Sequence, residues 1–369
     1  MKFTILKDIL EEKMSYAARF TLSKISSVPL LQGGRLDIKD DSLEITTTNL
    51  NEFFYTILKI EAKGTSSVII DLKKIIEFLS FLPSGKIEVE IKENQLIIQN
   101  DKTRGAFNTA DAADFPTLPQ IEGKKHSLKK TFLNKHLPLI LFAAAGDETR
   151  PILTGVNFKQ ESDHLYIVAT DGFRLSLITE KDKESFSTSV VISARVLGEV
   201  IRLLGKNEEV EMVVSNEEKM IKFTIGDINI YTRAVEGDFP PFQRVIPETF
   251  KTKLILDKEE FLRNIKLASV FARELSNVII FQIKKDGLYI RPKTKKNEDT
   301  EIYQGVEFEG EEQTISFNYK FILDFLNNVN TKKIIFEMTE KNAPGVFKIS
   351  DNKNFLHVIM PVRTDDEAA

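Results

Sequence analysis

Ala169-Thr170-Asp171-Gly172-Phe173-Arg174-Leu175 lies in the middle of a chain of 369 residues. The apolar, β-prone run Leu165-Tyr166-Ile167-Val168 precedes it, and Leu175-Ser176-Leu177-Ile178 follows. Two such runs flanking Asp-Gly predict a β-hairpin in which Gly172 supplies the positive φ of a tight turn. A hairpin alone says little about function. Its surroundings say more, because the chain on either side repeats.

Near the N-terminus a short strand, Phe3 to Leu6, is followed by a helical run over 8–20. The same order recurs at Ser127 to Leu133 and at Leu254 to Leu262, placing Leu10, Leu133 and Leu262 in register at separations of 123 and 129 residues. A second helix repeats too: Glu77-Phe78-Leu79, Glu199-Val200-Ile201 and Asp324-Phe325-Leu326 stand 122 and 125 residues apart, each with apolar residues at helical spacing. Asp114-Phe115-Pro116 and Asp238-Phe239-Pro240 mark two unit ends. Between the helices lie short alternating or apolar segments punctuated by Gly, Asn and Asp, which read as strands and hairpins. A period this long is too great for a solenoid and large enough for an independent domain. The expectation is three tandem α+β domains, at 1–122, 123–250 and 251–369. Pro138 stands inside the apolar run Leu137 to Ala145, so the first helix of the second unit is expected to begin late or bend.

Composition narrows the chemistry. There are no cysteines, which excludes disulfides, thiolate catalysis and thiolate zinc sites and fits a reducing compartment. The four histidines are scattered, without metal-ligand spacing. Neither a Gly-x-x-x-x-Gly-Lys loop nor a Ser elbow occurs, and Asn297-Glu298-Asp299-Thr300-Glu301 lacks the glycine of a calcium loop. No catalytic residue, metal site or cofactor is expected, nor is a membrane span, and the expected location is cytoplasmic. A formal charge of −4 argues against a simple basic nucleic-acid binder. Yet the six predicted helices (8–20, 72–82, 130–145, 194–205, 258–273 and 319–328) together carry +5, leaving −9 for everything else. Surface helices commonly carry Lys and Arg, so this contrast alone decides nothing.

Several marks together resemble the bacterial DNA polymerase III beta subunit, the sliding clamp family. They are Met1-Lys2-Phe3-Thr4, Leu82-Pro83, Ala113-Asp114-Phe115-Pro116, the central Thr170-Asp171-Gly172 stretch, Phe239-Pro240, Arg244-Val245-Ile246-Pro247 and Met360-Pro361. The resemblance spans essentially the whole chain. It implies three domains of the clamp fold, each with two helices and two small antiparallel sheets, and two subunits closing head to tail into a ring around duplex DNA. It implies a non-catalytic processivity factor, a homodimer, whose partners are double-stranded DNA without sequence preference, the replicative polymerase, the clamp loader and other replication and repair proteins. The rival readings are a metal-dependent phosphoryl-transfer enzyme using the acids near 298–301 and a peptide-binding scaffold independent of DNA.

The resemblance also carries residues. For the partner-peptide pocket it implies Leu153, Thr170, Gly172, Phe173, Arg174, Leu175, Pro240, Val245, Val346, Val358, Met360, Pro361, Val362 and Arg363, with Arg174 as a polar rim. For the DNA-facing surface it implies Lys24, Lys74, Arg150, Arg195, Arg202 and Arg244. For the dimer interface it implies Lys74, Lys102, Arg104, Phe107, Val270, Phe271, Glu298, Asp299 and Glu301. The chain departs from the family pattern in four places. Phe173 replaces a common His, Val362 a frequent Met, Gly105 a frequent aromatic, and Pro151-Ile152 a tyrosine pair. Thr364 to Ala369 add an acidic tail.

Overall fold

The computed structural model describes residues 1–22, 28–62, 64–181, 189–274, 276–293 and 300–363. Lys24, Glu298, Asp299 and the tail from Thr364 therefore lie outside the described residues.

The central hairpin forms as its sequence requires. Strands His164–Thr170 and Arg174–Lys181 run antiparallel, from His164 opposite Lys181 to Thr170 opposite Leu175, and Gly172 takes φ 90°. Helices follow the apolar periodicity: α1 (Lys7–Ala17), α2 (Leu72–Ser80), α3 (Lys130–Leu141), α4 (Ala194–Leu203), α5 (Lys258–Ala272) and α6 (Tyr319–Asn328). Capping explains three of the starts. The Asp71, Asp257 and Asn318 side chains accept backbone N–H bonds at 3.2, 2.8 and 3.0 Å from Lys74, Glu260 and Lys320. Helix α3 begins at Lys130 and not late; Pro138 sits in its third turn, three residues before the helix ends at Leu141. The carbonyl left without a donor belongs to the exposed Asn134, where water can reach it.

Each repeat holds two four-stranded antiparallel sheets with equivalent strand orders. In the first repeat they are Lys2–Leu6, Lys86–Lys92, Gln95–Gln99, Arg104–Ala110 and, separately, Ser66–Ile70, Gly34–Lys39, Ser42–Thr48, Glu52–Lys59. The second repeat orders Lys124–Lys129, Glu209–Ser215, Met220–Ile225, Ile228–Arg233 and Val190–Ser193, Gly155–Glu161, His164–Thr170, Arg174–Lys181 in the same way. The third has Thr252–Asp257, Lys333–Met338, Gly345–Ile349, Asn352–Ile359 and Gln313–Asn318, Val278–Lys284, Gly287–Pro292, Ile302–Gln304, with Glu307–Gly310 added beside the first of these.

Sequence periodicity did not foretell how the sheets join. Glu52–Lys59 pairs antiparallel with Ile228–Arg233, and Arg174–Lys181 pairs antiparallel with Asn352–Ile359, so sheets of successive repeats become continuous. The chain accordingly divides by contact into two compact units, one of Met1–Lys130 with Glu199–Ala234 and one of Thr131–Gly198 with Val235–Ala369. The first contains a sheet of 12 strands and the second contains one of nine and one of four.

Charged pairs reinforce the join in the first unit. Arg19 donates to both carboxylate oxygens of the buried Glu199 at 2.5 and 2.8 Å, and Lys13 reaches Asp227 at 2.7 Å. In the second unit the third repeat is packed on phenylalanine: Phe281, Phe317, Phe336 and Phe347 meet at ring separations of 4.8 to 6.0 Å for successive pairs. Such edge-on and tilted contacts suit a chain with 27 Phe and no Trp.

Candidate functional site

The Thr170–Arg174 turn is held by its own side chains. Thr170 Oγ1 donates to the Arg174 carbonyl at 2.6 Å and accepts from Gly172 N at 3.0 Å. Asp171 Oδ1 accepts from Phe173 N and Arg174 N at 2.8 and 2.9 Å, while its Oδ2 accepts from Arg174 Nε at 3.0 Å. The C-terminal strand closes against the turn, where Met360 N donates to the Phe173 carbonyl at 2.8 Å. A cleft of about 230 Å³ opens beside it, lined by Leu153, Thr170, Gly172, Arg174, Leu175, Pro240, Val245, Val358 and Met360, and also by Arg150, Pro241 and Phe242. Its floor is apolar: Val168, Leu175, Leu177, Phe242, Val346 and Val358 form one buried cluster.

Nine of the fourteen residues expected at a pocket thus meet in this cleft, and five do not. Val346 is fully buried beneath the floor. Phe173 is 60% exposed and its ring stacks on Phe321 at 6.4 Å, flanking the opening without lining it. Pro361, Val362 and Arg363 lead away, because Val362 N donates to the Ser316 carbonyl of a different sheet. Arg174 is a fixed polar edge of the cleft. Its guanidinium is shared between Asp171 and Asp324, at 2.5 Å to the latter, and lies 4.9 Å from the Phe321 ring centroid.

Arg150 is the main displacement. Expected to face DNA, it lies in the cleft wall, donating to the Asp171 carbonyl at 2.7 Å. A β-carbon on residue 172 would stand 2.8 Å from its Nη1, so the glycine serves both the positive φ and this close approach. Pro241 and Phe242 were missed as lining residues. The Asp238-Phe239-Pro240 mark pointed at their segment, but the short 3₁₀ turn Phe242–Val245 that aims Phe242 inward has no pattern of its own.

The remaining expected residues separate by exposure. Lys74 on α2, Arg195 and Arg202 on α4, and Arg244 are exposed, as are Lys102 and Arg104. Val270 and Phe271 are exposed on α5. Phe107, however, is buried in its own repeat, edge-on to Phe78 at 5.3 Å. Gly105 makes room for that Phe78 ring, which a β-carbon there would meet at 2.7 Å. Glu301 is bonded within the chain to Arg291 Nε at 2.6 Å. Among the described residues no cluster of three or more His, Asp or Glu could hold a metal ion.

Models of the three domains of the DNA polymerase III beta subunit match residues 1–119 (N-terminal), 127–241 (central) and 243–363 (C-terminal). The chain belongs to the DNA polymerase III beta subunit family. It is 32% identical over 382 residues to the beta sliding clamp of Bacillus subtilis, covering 99% of this chain and all of that one. The beta sliding clamp of Synechocystis is 28% identical over 392 residues, covering 98% of this chain and 99% of its own. Among solved structures, the beta subunit of Thermotoga maritima superposes with a TM-score of 0.92 at 26% identity, covering 98% of this chain and 99% of that one. The Bacillus subtilis clamp gives 0.90 at 29%, covering 99% of each. A beta subunit is a sliding clamp, a processivity factor with no catalysis of its own.

Behind the cleft floor, on the opposite face of the same strands, His357 pairs in register with Ser176 and shares a hydrogen bond with its hydroxyl at 2.8 Å. Complete burial, with the Arg174 charge adding to it, pushes the imidazole down to about 3. The folded state therefore keeps it neutral while the unfolded chain protonates it below 6.5, so its contribution to stability is lost as pH falls through that window. Between pH 7 and pH 5 the unfolding free energy of the second unit should drop by about 2 kcal/mol on this account. Urea titrations at the two pH values should show at least that drop, because the buried His136 of the same unit is pushed down to about 4 and adds its own, and His357→Gln should reduce the total by about 2 kcal/mol; an equal drop in the variant would assign it to other groups.

Proposed function

We propose that the protein works as a homodimeric ring that encircles duplex DNA and tethers the replicative polymerase, with the Leu153–Met360 cleft as the dock for the polymerase, the clamp loader and other clamp-binding proteins. One observation carries the ring. At both repeat joins the edge strand of one four-stranded sheet, Glu52–Lys59 or Arg174–Lys181, pairs with the last strand of the next repeat. The third repeat's counterpart, Ile302–Gln304, has no such partner among the described residues, and Arg104–Ala110 is likewise open over most of one edge. A second copy supplies both, and two such joins close the assembly. Beside these edges stand the exposed Val270 and Phe271 on one repeat and Lys74, Lys102 and Arg104 on the other.

Charge supports the DNA reading. By their observed bounds the six helices carry +4 on a chain of net −4. Lys74, Arg195, Arg202 and Arg244 are the described residues proposed to meet phosphate. Such contacts read no sequence, as a surface that slides over any duplex requires. A closed ring needs only loose contacts, since topology prevents escape. The cleft combines an apolar floor with the backbone of Met360, which suits an extended peptide anchored by large apolar side chains. The proposed location is the cytoplasm, where DNA and a cysteine-free chain are both at home; no helix among the described residues is long and apolar enough to cross a membrane.

Three outcomes follow. Protein loaded by the clamp loader onto nicked circular DNA should remain bound through gel filtration and leave when the circle is cut; retention on the linear product would end the topological reading. Phe271→Ala should shift the protein towards monomer at low concentration by light scattering, since losing a buried aromatic costs roughly 3–5 kcal/mol; an unchanged dimer would place the interface elsewhere. Removing residues 360–369 should abolish polymerase stimulation while leaving the dimer, and stimulation that survives would assign the cleft to packing alone.

A further inference from the structure

The turn that borders the cleft has a copy, bond for bond, at the other repeat join. In the first unit, Thr48 Oγ1 donates to the Glu52 carbonyl at 2.7 Å and accepts from Leu50 N at 2.9 Å, as Thr170 does with Arg174 and Gly172. Asn49 Oδ1 accepts from Asn51 N and Glu52 N at 3.1 and 2.9 Å, as Asp171 does one repeat later. The Asn49 amide reaches Glu52 Oε2 at 3.0 Å, where Asp171 holds Arg174. Arg233 N donates to the Asn51 carbonyl at 3.1 Å, the counterpart of Met360 and Phe173. Even the flanking segment matches, since Leu22 N donates to the Leu31 carbonyl as Ala145 N does to Leu153, both at 2.9 Å.

Two differences in the copy bear on function. Its floor is filled with larger rings: Phe53 and Tyr231 are buried where the cleft has Leu175 and Val358, and Leu118 and Ile121 pack over them. Larger side chains at the same register leave less room for a ligand. At its tip stands Leu50, 51% exposed with φ 76°, in the position of Gly172. A left-handed backbone disfavours any residue with a β-carbon, and a tip that served only to join two strands would be steadier with glycine. Val28, in the position of Arg150, is also exposed, and Arg233, in the position of Met360, places an exposed guanidinium beside this apolar step.

We propose that this first join is a second docking site, for an extended acidic peptide that lays one large apolar side chain against Leu50 and Val28 and sets a neighbouring carboxylate on Arg233. The inference rests on reading the Leu153–Met360 cleft as a peptide dock, whose framework it shares. Larger floor residues give weaker binding, and the cation in place of Met360 gives the preference for acid, since Glu52, which stands where the cleft has Arg174, is buried and bonded to the Asn49 amide while Arg233 is exposed.

The probe is a Gly/Ser decapeptide carrying one photoreactive benzoylphenylalanine next to one aspartate, applied to the full-length protein, with adducts mapped by mass spectrometry. Adducts are expected at both turns. Val245→Glu should remove those near 170–175 only, by setting a carboxylate in the apolar lining against the aspartate of the probe. Arg233→Glu should cut those near 48–53 about tenfold and leave the cleft unchanged, and exchanging the aspartate of the probe for lysine should restore them on that variant. Adducts at the cleft alone, or at 48–53 with no response to Arg233→Glu, overturn this proposal and leave the cleft standing. Adducts at neither turn overturn both.

Discussion

A strand edge presents a row of backbone donors and acceptors that must be satisfied, and this protein satisfies them by letting successive repeats share one sheet. Five residue pairs at each join, from Thr56 opposite Ile228 to Glu52 opposite Thr232 and from Arg174 opposite Ile359 to Ile178 opposite Phe355, set the register. Each hydrogen bond contributes only roughly 0.5–1.5 kcal/mol. Their larger effect is on geometry, because a one-residue slip would turn every buried side chain outward. The same rule leaves Ile302–Gln304 as an edge with no counterpart among the described residues.

The cleft depends on that register. Leu175 lies opposite Val358 because the two strands pair as they do, and the alternate residues Ser176 and His357 then fall on the helical side, where His357 stacks on Phe325 at 5.2 Å. Arg174 is fixed at the edge of the cleft by Asp171 from its own turn and Asp324 from α6. The opening is therefore built on strands and on a turn locked by its own side chains, a preorganised surface. The first join uses the same turn and pairing but buries Phe53 and Tyr231 where the cleft has Leu175 and Val358, so the two joins differ in side-chain volume.

By itself the sequence determined the triplication, the helix positions apart from the start of α3, and the Asp171-Gly172 hairpin. These are legible because they depend on local spacing: apolar residues at helical intervals, glycine where φ is positive, and marks such as Asp-Phe-Pro that recur at a fixed distance. The resemblance supplied nine of the lining residues because it matches segment to segment. Only the tertiary structure decided the rest. Arg150 turns into the cleft because the Asp171 carbonyl and the open face of Gly172 receive it, a contact across 21 residues that no periodicity encodes. Phe107 is buried because Gly105 admits the Phe78 ring, and Val362 leaves the cleft because Ser316 of another sheet takes its N–H. Each of these outcomes is set by which distant groups arrive to satisfy a polar atom or fill a gap, and that is known only once the sheets have joined.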